Sequence, residues 1–174
     1  MIRLIVCLAC FAGPLGALSL CDVRDVDRIA QVLAGDWVHS GAGAFVSASD
    51  EAVRPVEGDI RIDAGGAVAW AELTGVLLPR VTPVLGDMVY DVDGVDDLLA
   101  TTEVEWIADD LSDTVCGPES LPQLSAAYEV SEDLNGQLTL IPYFEDRVLA
   151  VLETEWTGEW GIAFVTVTTL MTRP

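Results

Sequence analysis

From residue 35 to the end of the chain, short apolar stretches are separated by turn-forming residues at strand-length intervals. Within several stretches apolar and polar residues alternate, which is the period of a half-buried β-strand. An Asn135-Gly136 pair between two apolar runs predicts a type I′ hairpin turn. We predict strands at residues 36–46, 57–63, 67–74, 84–90, 101–108, 123–131, 137–143, 147–155 and 159–170.

Eight or nine short strands joined mostly by tight turns predict an all-β fold, namely a single antiparallel up-and-down β-barrel. A β-sandwich is the alternative that the same strand pattern allows. Closure into a barrel is favoured because it removes exposed strand edges. Pro79, Pro83 and Pro142 predict edges, bulges or loops in their segments, since proline cannot donate to a strand ladder.

One short N-terminal helix is predicted before the strands, within residues 22–34. Val23, Val26, Ala30 and Leu33 recur there at helical spacing. Asp22 is the predicted N-cap, and Gly35 is the residue at which the helix ends.

The first 19 residues have the pattern of a secretory signal peptide. Arg3 precedes an apolar run from residue 4 to residue 12, which is too short to cross a bilayer, and small residues follow it. We therefore expect cleavage after Ser19, a single mature domain at residues 20–174, and a periplasmic or secreted location. A lipoprotein anchored at Cys21 is the alternative, although Leu20 stands where that signal requires a small residue.

Two cysteines, Cys21 and Cys116, remain in the predicted mature chain. In an oxidising compartment such a pair predicts one disulfide bond. This bond would join the start of the mature chain to its middle.

The charge of the chain is strongly negative, with a formal net charge of −21, and all eight basic residues are arginine. A field of this sign repels phosphate backbones, so the sequence argues against nucleic-acid binding. No segment of the mature chain is apolar for long enough to span a membrane. Solubility explains the charge simply, and attraction of a cationic protein is the alternative.

The usual catalytic patterns are missing from the sequence, which predicts a protein that is not an enzyme and has no cofactor. Without lysine there is no Schiff base and no P-loop. His39 is the single histidine, and we expect a structural role for it or a position at the mouth of the barrel. The acidic run Asp91 to Asp97 has calcium-compatible oxygen ligands but lacks EF-hand spacing, so an acidic turn before a helical run is the preferred interpretation and calcium stays open.

The stretch around the first tryptophan has a specific pattern. Gly35 and Trp37 follow the predicted helix directly, and Arg173 lies after the last predicted strand. This arrangement resembles the lipocalins and their calycin relatives, in which a short helical turn leads into a Gly-x-Trp on the first strand. The resemblance implies an arginine late in the chain packed on that tryptophan, with Gly35, Trp37 and Arg173 as structural residues.

The resemblance implies a non-enzymatic barrel that binds a small apolar ligand in its mouth. Trp70, Trp106 and Tyr128 are the predicted cavity-wall residues, because they lie on different strands of the pattern. The alternative function is an acidic protein-binding module, such as a periplasmic inhibitor of a basic enzyme like lysozyme, or of a protease.

Overall fold

The computed structural model describes residues 18–73, 80–83, 120–159 and 161–174. Within these residues the chain forms one α-helix, a single 3-10 turn and eight strands. The helix α1 is Val26–Leu33 and the 3-10 turn is Ala71–Leu73. The strands are β1 Gly35–Ser47, β2 Glu51–Ile62, β3 Val68–Trp70, β4 Thr82–Pro83, β5 Leu124–Ser131, β6 Leu134–Phe144, β7 Arg147–Gly158 and β8 Gly161–Thr172.

The strands form one curled sheet in the order β3-β2-β1-β8-β7-β6-β5-β4, and every neighbouring pair is antiparallel. The first long strand therefore pairs with the last, over residues 38–47 and 163–172. The mostly antiparallel β class and the single short α-helix are confirmed for the described ranges. An isolated bridge between Ala67 and Arg80 links the segments just before β3 and β4, which are the two ends of the sheet.

The main core lies on the concave side of the sheet, which we call the inner face. Non-adjacent strands contribute to it together with α1, as they must if the sheet curls around it. Its buried members include Leu33 of the helix and the strand residues Trp37, Ile60, Trp70, Leu124, Leu138, Leu152 and Met171. Full burial of one such aliphatic side chain contributes about 1.5–3 kcal/mol.

A second, smaller cluster packs on the opposite side, the outer face. It consists of Ala42, Leu121, Ile141, Tyr143, Leu149 and Val151. Leu20 lies next to β6 at this cluster, since its N–H donates to the carbonyl of Tyr143 at 3.0 Å. Apolar residues on both faces explain why the central strands read as nearly continuous apolar runs.

The helix begins later than the sequence predicts. The N-cap is Asp25, whose carboxylate accepts hydrogen bonds from the N–H groups of Asp27 and Arg28, whereas Asp22 lies before the helix with φ 57°. Asp25 prevails because its extended backbone points its side chain back at the first orphan N–H groups. Gly35 follows the helix with φ +129°, a conformation that L side chains rarely adopt.

The predicted hairpin turn at Asn135-Gly136 is wrong, because both residues lie inside β6. The turn between β5 and β6 falls at Glu132 and Asp133 instead. Gly136 has another function there: a Cβ on it would lie 2.2 Å from the carbonyl oxygen of Glu153 and 2.5 Å from the hydroxyl of Tyr128. Tertiary packing thus uses the glycine for a close approach rather than for a turn.

Other boundaries differ from the prediction in smaller ways. β2 begins at Glu51 rather than at residue 57, and β3 ends at Trp70, where the 3-10 turn begins. Pro142 lies beside a register shift between β6 and β7, as expected for a bulge. The predicted strands 84–90 and 101–108 lie outside the described residues, so closure of the barrel and its total strand number stay predictions.

Candidate ligand-binding site

Trp37 fills one end of the inner face, next to the helix. Its side chain is buried, and its Nε1–H donates to the carbonyl of Leu33 at 2.8 Å. The guanidinium carbon of Arg173 lies 3.8 Å from the centroid of the indole. Both side chains therefore lie at the end of α1, where carbonyls have no partner within the helix.

The next inward-facing residue of β1 after Trp37 is His39, which forms a polar contact with Trp70. His39 is buried, and its Nε2 accepts a hydrogen bond from Nε1–H of Trp70 at 3.0 Å, with the rings edge to face at 5.2 Å. The carboxylate of Glu72 lies 3.9 Å from the same nitrogen. Since Nε2 is an acceptor, the neutral imidazole carries its hydrogen on Nδ1.

The charge state of His39 follows from its surroundings. Burial lowers the pKa of the imidazole below its ordinary value of 6.5, and the carboxylates of Glu72 and Asp59 oppose this only in part. The ring is therefore kept neutral near neutral pH. A neutral imidazole in an apolar core can donate or accept a hydrogen bond without the cost of burying a charge.

The inner face continues from His39 toward the far end of β1 through two glycines. The register pairs His39 with Gly58, Gly41 with Val56, and Gly43 with Arg54 across β1 and β2. The inward positions 41 and 43 thus have no side chain. At Gly41 the backbone of β8 takes up this space, since a Cβ there would lie 2.1 Å from the carbonyl oxygen of Thr168, whereas Gly43 leaves room for a larger residue.

A cavity of about 400 Å³ lies at this far end of the inner face. Its volume is within the range of small-molecule sites. Gly43 lies in its wall, and the nearest atoms to a Cβ there would be side-chain carbons of Val56 and Val167, at 3.4 and 3.5 Å. The apolar walls are Phe45, Ala52, Val56, Val165 and Val167.

Two charged residues belong to the lining as well. Arg54 lines the cavity from β2, and Asp50 lines it from the turn between β1 and β2. Arg54 is exposed to solvent, so charge is available at the outer part of the cavity. The arrangement is that of an apolar pocket with a few polar groups, as in sites for small molecules.

Two of the predicted wall residues, Trp70 and Tyr128, lie outside the lining of this cavity, and their role in ligand binding stays a prediction. Trp70 is buried in the core beside His39, and Tyr128 packs over Gly136, with its hydroxyl donating to the carbonyl of Glu153 at 3.2 Å and hydrogen bonded to the hydroxyl of Thr154. Neither residue is part of the cavity lining. Trp106 lies outside the described residues, so its predicted place in a cavity wall stays a prediction.

The cavity residues carry little signal in the sequence. The run Gly41-Ala42-Gly43-Ala44, small residues inside a strand, is the one pattern that points to it, because glycine in a strand interior often marks a close approach by a ligand or another backbone. Val56, Val165 and Val167 read as ordinary strand residues. Only the register shows that they meet around Gly43.

One end of the predicted disulfide, Cys21, lies among the described residues. The N–H of Asp22 donates to the carbonyl of Ser120 at 2.9 Å, so the segment that follows Cys21 lies against the chain near residue 120. Cys116 itself lies outside the described residues, and the pairing stays a prediction. The acidic run 91–97 lies outside them too, so calcium binding there stays open.

Two kinds of feature are absent from the described part of the chain. No group of three or more His, Cys, Asp or Glu side chains in that part is arranged to hold a metal ion. No helix among the same residues has the length and apolar character needed to cross a bilayer.

The fold and the site together define a small antiparallel β-protein with a cavity on the concave face of a curled sheet. Comparison of the chain with protein-family models, with curated proteins and with solved structures finds no match. The lipocalin resemblance, which is drawn from Gly35, Trp37 and Arg173 in the sequence, therefore stays a prediction.

Proposed function

We propose that this chain is an exported, non-enzymatic, lipocalin-like barrel that binds a small hydrophobic ligand on the inner face of its sheet. The observation that carries the proposal is the cavity around Gly43 with its apolar walls. Burial of apolar ligand surface there would supply the binding free energy, at about 25 cal/mol per Å² before the costs of association.

Closure of the sheet is part of the proposal. The bridge between Ala67 and Arg80, together with the N–H of Val81 donating to the carbonyl of Gly66 at 2.9 Å, supports contact between the two ends of the sheet. A closed sheet has no free edge to aggregate, and it encloses a space into which inward side chains point. Export through the signal peptide at residues 1–19 to the periplasm or the medium, and the disulfide between Cys21 and Cys116, complete the proposal.

The experiment uses a leucine placed in the cavity wall. In Gly43→Leu the new side chain fills the cavity, so the affinity for the fluorescent apolar probe 1-aminoanthracene should fall by about tenfold or more, as for a loss of about 1.4 kcal/mol. The matched control is Ser40→Leu, which adds the same side chain to an exposed position on the opposite face of the same strand. Equal affinities of both variants and the original chain would contradict the proposed pocket.

A second readout identifies the natural ligand. Native mass spectrometry of the mature protein purified from its own host should reveal a co-purifying molecule, and Gly43→Leu purified in the same way should lack it. A molecule retained by Gly43→Leu would place the binding site elsewhere on the protein.

A second function is favoured by a feature of the outer face. Val46 and Phe164 are cross-strand neighbours, and both are exposed together with Ile162. Next to them, Glu153 and Glu155 help to line a depression of about 440 Å³. An apolar patch with acidic neighbours suits a basic protein partner, as in an inhibitor of a cationic enzyme such as lysozyme.

The two functions are separated by salt and by one substitution. As an inhibitor, the chain would bind lysozyme in calorimetry at low ionic strength, more weakly at high salt, and more weakly still as Phe164→Ser. As a ligand-binding barrel, Phe164→Ser would bind 1-aminoanthracene as the original chain does.

A further inference from the structure

Two buried polar atoms on the inner face have no hydrogen-bond partner among the described residues. They are Nδ1 of His39 and Oγ1 of Thr169. Both residues are deeply buried, with 4% and 0% of their surface exposed. Leaving such a group unpaired is costly, so a buried polar atom without a protein partner calls for an explanation.

The two atoms belong to neighbouring positions of the same face. Across β1 and β8 the register pairs His39 with Met171 and Gly41 with Thr169. Thr169 is therefore the diagonal neighbour of His39, at about 7–8 Å between Cα atoms and less between side chains. Thr169 also pairs with Ala150 of β7, which belongs to the inner core, so its side chain shares that face.

His39 and Thr169 do not line the cavity themselves, but the register places Thr169 beside two of its wall residues. Gly41, the cross-strand partner of Thr169, pairs on its other side with Val56, which is a wall of the cavity. Val167, two residues before Thr169 on β8, is another wall. Thr169 is therefore next to the cavity wall along β8, and His39 lies one inward position beyond Gly41 on β1.

The chemistry of the two groups selects a neutral acceptor. The Nδ1 of a neutral His39 is a donor, and the hydroxyl of Thr169 can donate as well. A carbonyl oxygen has two lone pairs and can accept from both. A carboxylate is disfavoured at this depth, because Glu72 already lies 3.9 Å from Nε2 of His39 and burial of a second negative charge is unfavourable.

We propose that the ligand of this cavity is an uncharged apolar molecule with a carbonyl group, whose oxygen accepts hydrogen bonds from Nδ1–H of His39 and from the hydroxyl of Thr169. This inference rests on the function proposed above and names the chemical class of its ligand. His39 and Thr169 are specificity-determining residues in it, while Phe45, Val56 and Val167 supply apolar contact.

The test compares three probes of nearly equal size by displacement of 1-aminoanthracene. These are 2-acetylnaphthalene, which has a ketone; 2-ethylnaphthalene, which has none; and 2-naphthoate, which is charged. The ketone should bind about tenfold more tightly than the hydrocarbon, because only the ketone can accept the two hydrogen bonds, and naphthoate should bind most weakly.

A matched pair of variants assigns the effect to the inner face. Thr169→Val should remove most of the preference for the ketone while leaving the affinity for 2-ethylnaphthalene unchanged. Thr168→Val is the control, because Thr168 is equally buried and its hydroxyl also lacks a partner among the described residues, but it lies on the opposite face. It should bind all three probes as the original chain does.

The single histidine provides a direct spectroscopic readout. In protein labelled with ¹⁵N at histidine, one pair of ring nitrogens is observed, and Nδ1 should carry the hydrogen. Addition of 2-acetylnaphthalene should shift the Nδ1–H proton downfield and slow its exchange with water, whereas 2-ethylnaphthalene should not.

The outcomes separate this inference from the function on which it rests. If the ketone and the hydrocarbon bind equally and the Nδ1–H signal does not respond, the inference is overturned. The pocket then exists, but a buried water rather than the ligand is the hydrogen-bond partner of His39 and Thr169. Tighter binding of naphthoate than of the ketone also overturns it. If neither uncharged probe binds, the proposed function fails and the inference fails with it.

Discussion

Arg173 and Trp37 join the end of the chain to the start of its first long strand. The guanidinium carbon lies 3.8 Å from the centroid of the indole, and the same guanidinium donates to the carbonyls of Val32, of Ala34 at 3.1 Å and of Asp36 at 3.4 Å. Together with the hydrogen bond from the indole N–H to the carbonyl of Leu33, these bonds supply donors to carbonyls at the end of α1. The contact thus caps a helix and covers one end of the inner core.

Replacement of this arginine should destabilise the fold. Arg173→Met keeps the length of the side chain but removes the cation over the ring and the donors to three carbonyls, so the free energy of unfolding should fall by about 2–4 kcal/mol. The measurement is denaturation by urea followed by tryptophan fluorescence. Arg61→Met is the control: Arg61 forms an ion pair with Asp36 at 3.4 Å, but both side chains are largely exposed, and its loss should cost below about 1 kcal/mol. Similar small losses in both variants would contradict a structural role for the Arg173 contact.

Two glycines on the inner face should respond differently to the same substitution. In Gly136→Ala the new Cβ would lie 2.2 Å from the carbonyl oxygen of Glu153, so the backbone must shift and we expect a loss of about 1–3 kcal/mol. In Gly43→Ala every neighbour of the Cβ lies at an ordinary contact distance, the nearest being side-chain carbons of Val56 and Val167, so stability should be unchanged or slightly higher. Thermal unfolding of both variants checks this order of stabilities. A Gly136→Ala variant that is more stable than the original chain would contradict the close approach of Tyr128 and β7 to Gly136.

The burial of His39 makes stability depend on pH. Its pKa is lowered in the folded protein and returns to its ordinary 6.5 on unfolding. Below pH 6.5 the unfolded chain therefore binds a proton that the folded chain does not, and the free energy of unfolding decreases as the pH falls from 6.5 toward the lower folded pKa. Above the ordinary pKa this contribution is fully present.

The pH effect is measured by urea unfolding at about pH 7.5, 6.5 and 5.5, which bracket the ordinary histidine pKa, with an NMR titration of the single histidine alongside. His39→Gln is the control and should show a flatter profile in this range. The carboxylate of Asp63 affects stability only at lower pH, because hydrogen bonds from the N–H groups of Ala67 and Gly65 hold its pKa below 3.8. A histidine midpoint at or above 6.5 would contradict the burial of the ring.

Removal of the N-cap of α1 should lower stability by the amount typical of capping residues. Asp25→Ala removes the acceptor for the N–H groups of Asp27 and Arg28, at 3.0 and 3.2 Å, and should cost about 1 kcal/mol. Asp27→Ala changes a carboxylate in the same turn that is not the cap, and should cost less. Denaturant midpoints of the two variants decide between Asp25 and its neighbour as the cap.

The predicted disulfide is tested by chemistry. Peptide mapping of the exported protein without reductant should yield one fragment that joins the segments around Cys21 and Cys116, and reduction should separate it. In the chain-entropy model a loop on the order of 100 residues contributes about 4–5 kcal/mol, so reduction should lower the unfolding temperature clearly. Alkylation of both thiols in the native, unreduced protein would show that the bond is absent.

Several features of this protein follow from local sequence. Alternation of apolar residues and frequent turn residues are sufficient to predict antiparallel strands, because strand pairing across a tight turn involves neighbours in the chain. The position of Trp37 on the inner side of β1 is also local. It follows from a glycine with positive φ at the end of α1 and from the two-residue period of the strand.

Other features were decided by tertiary structure. Asn135-Gly136 has the pattern of a turn, yet Gly136 lies within β6, because Tyr128 of β5 and the backbone of β7 both approach it closely. Pairing of β1 with β8 brings Gly41 beside Thr169 and Gly43 beside Val167, although more than a hundred residues of chain separate them. The cavity, and the position of Thr169 beside its wall, exist only through that register. A sequence specifies which residues alternate, but the space between distant strands is set by how all of the side chains pack at once.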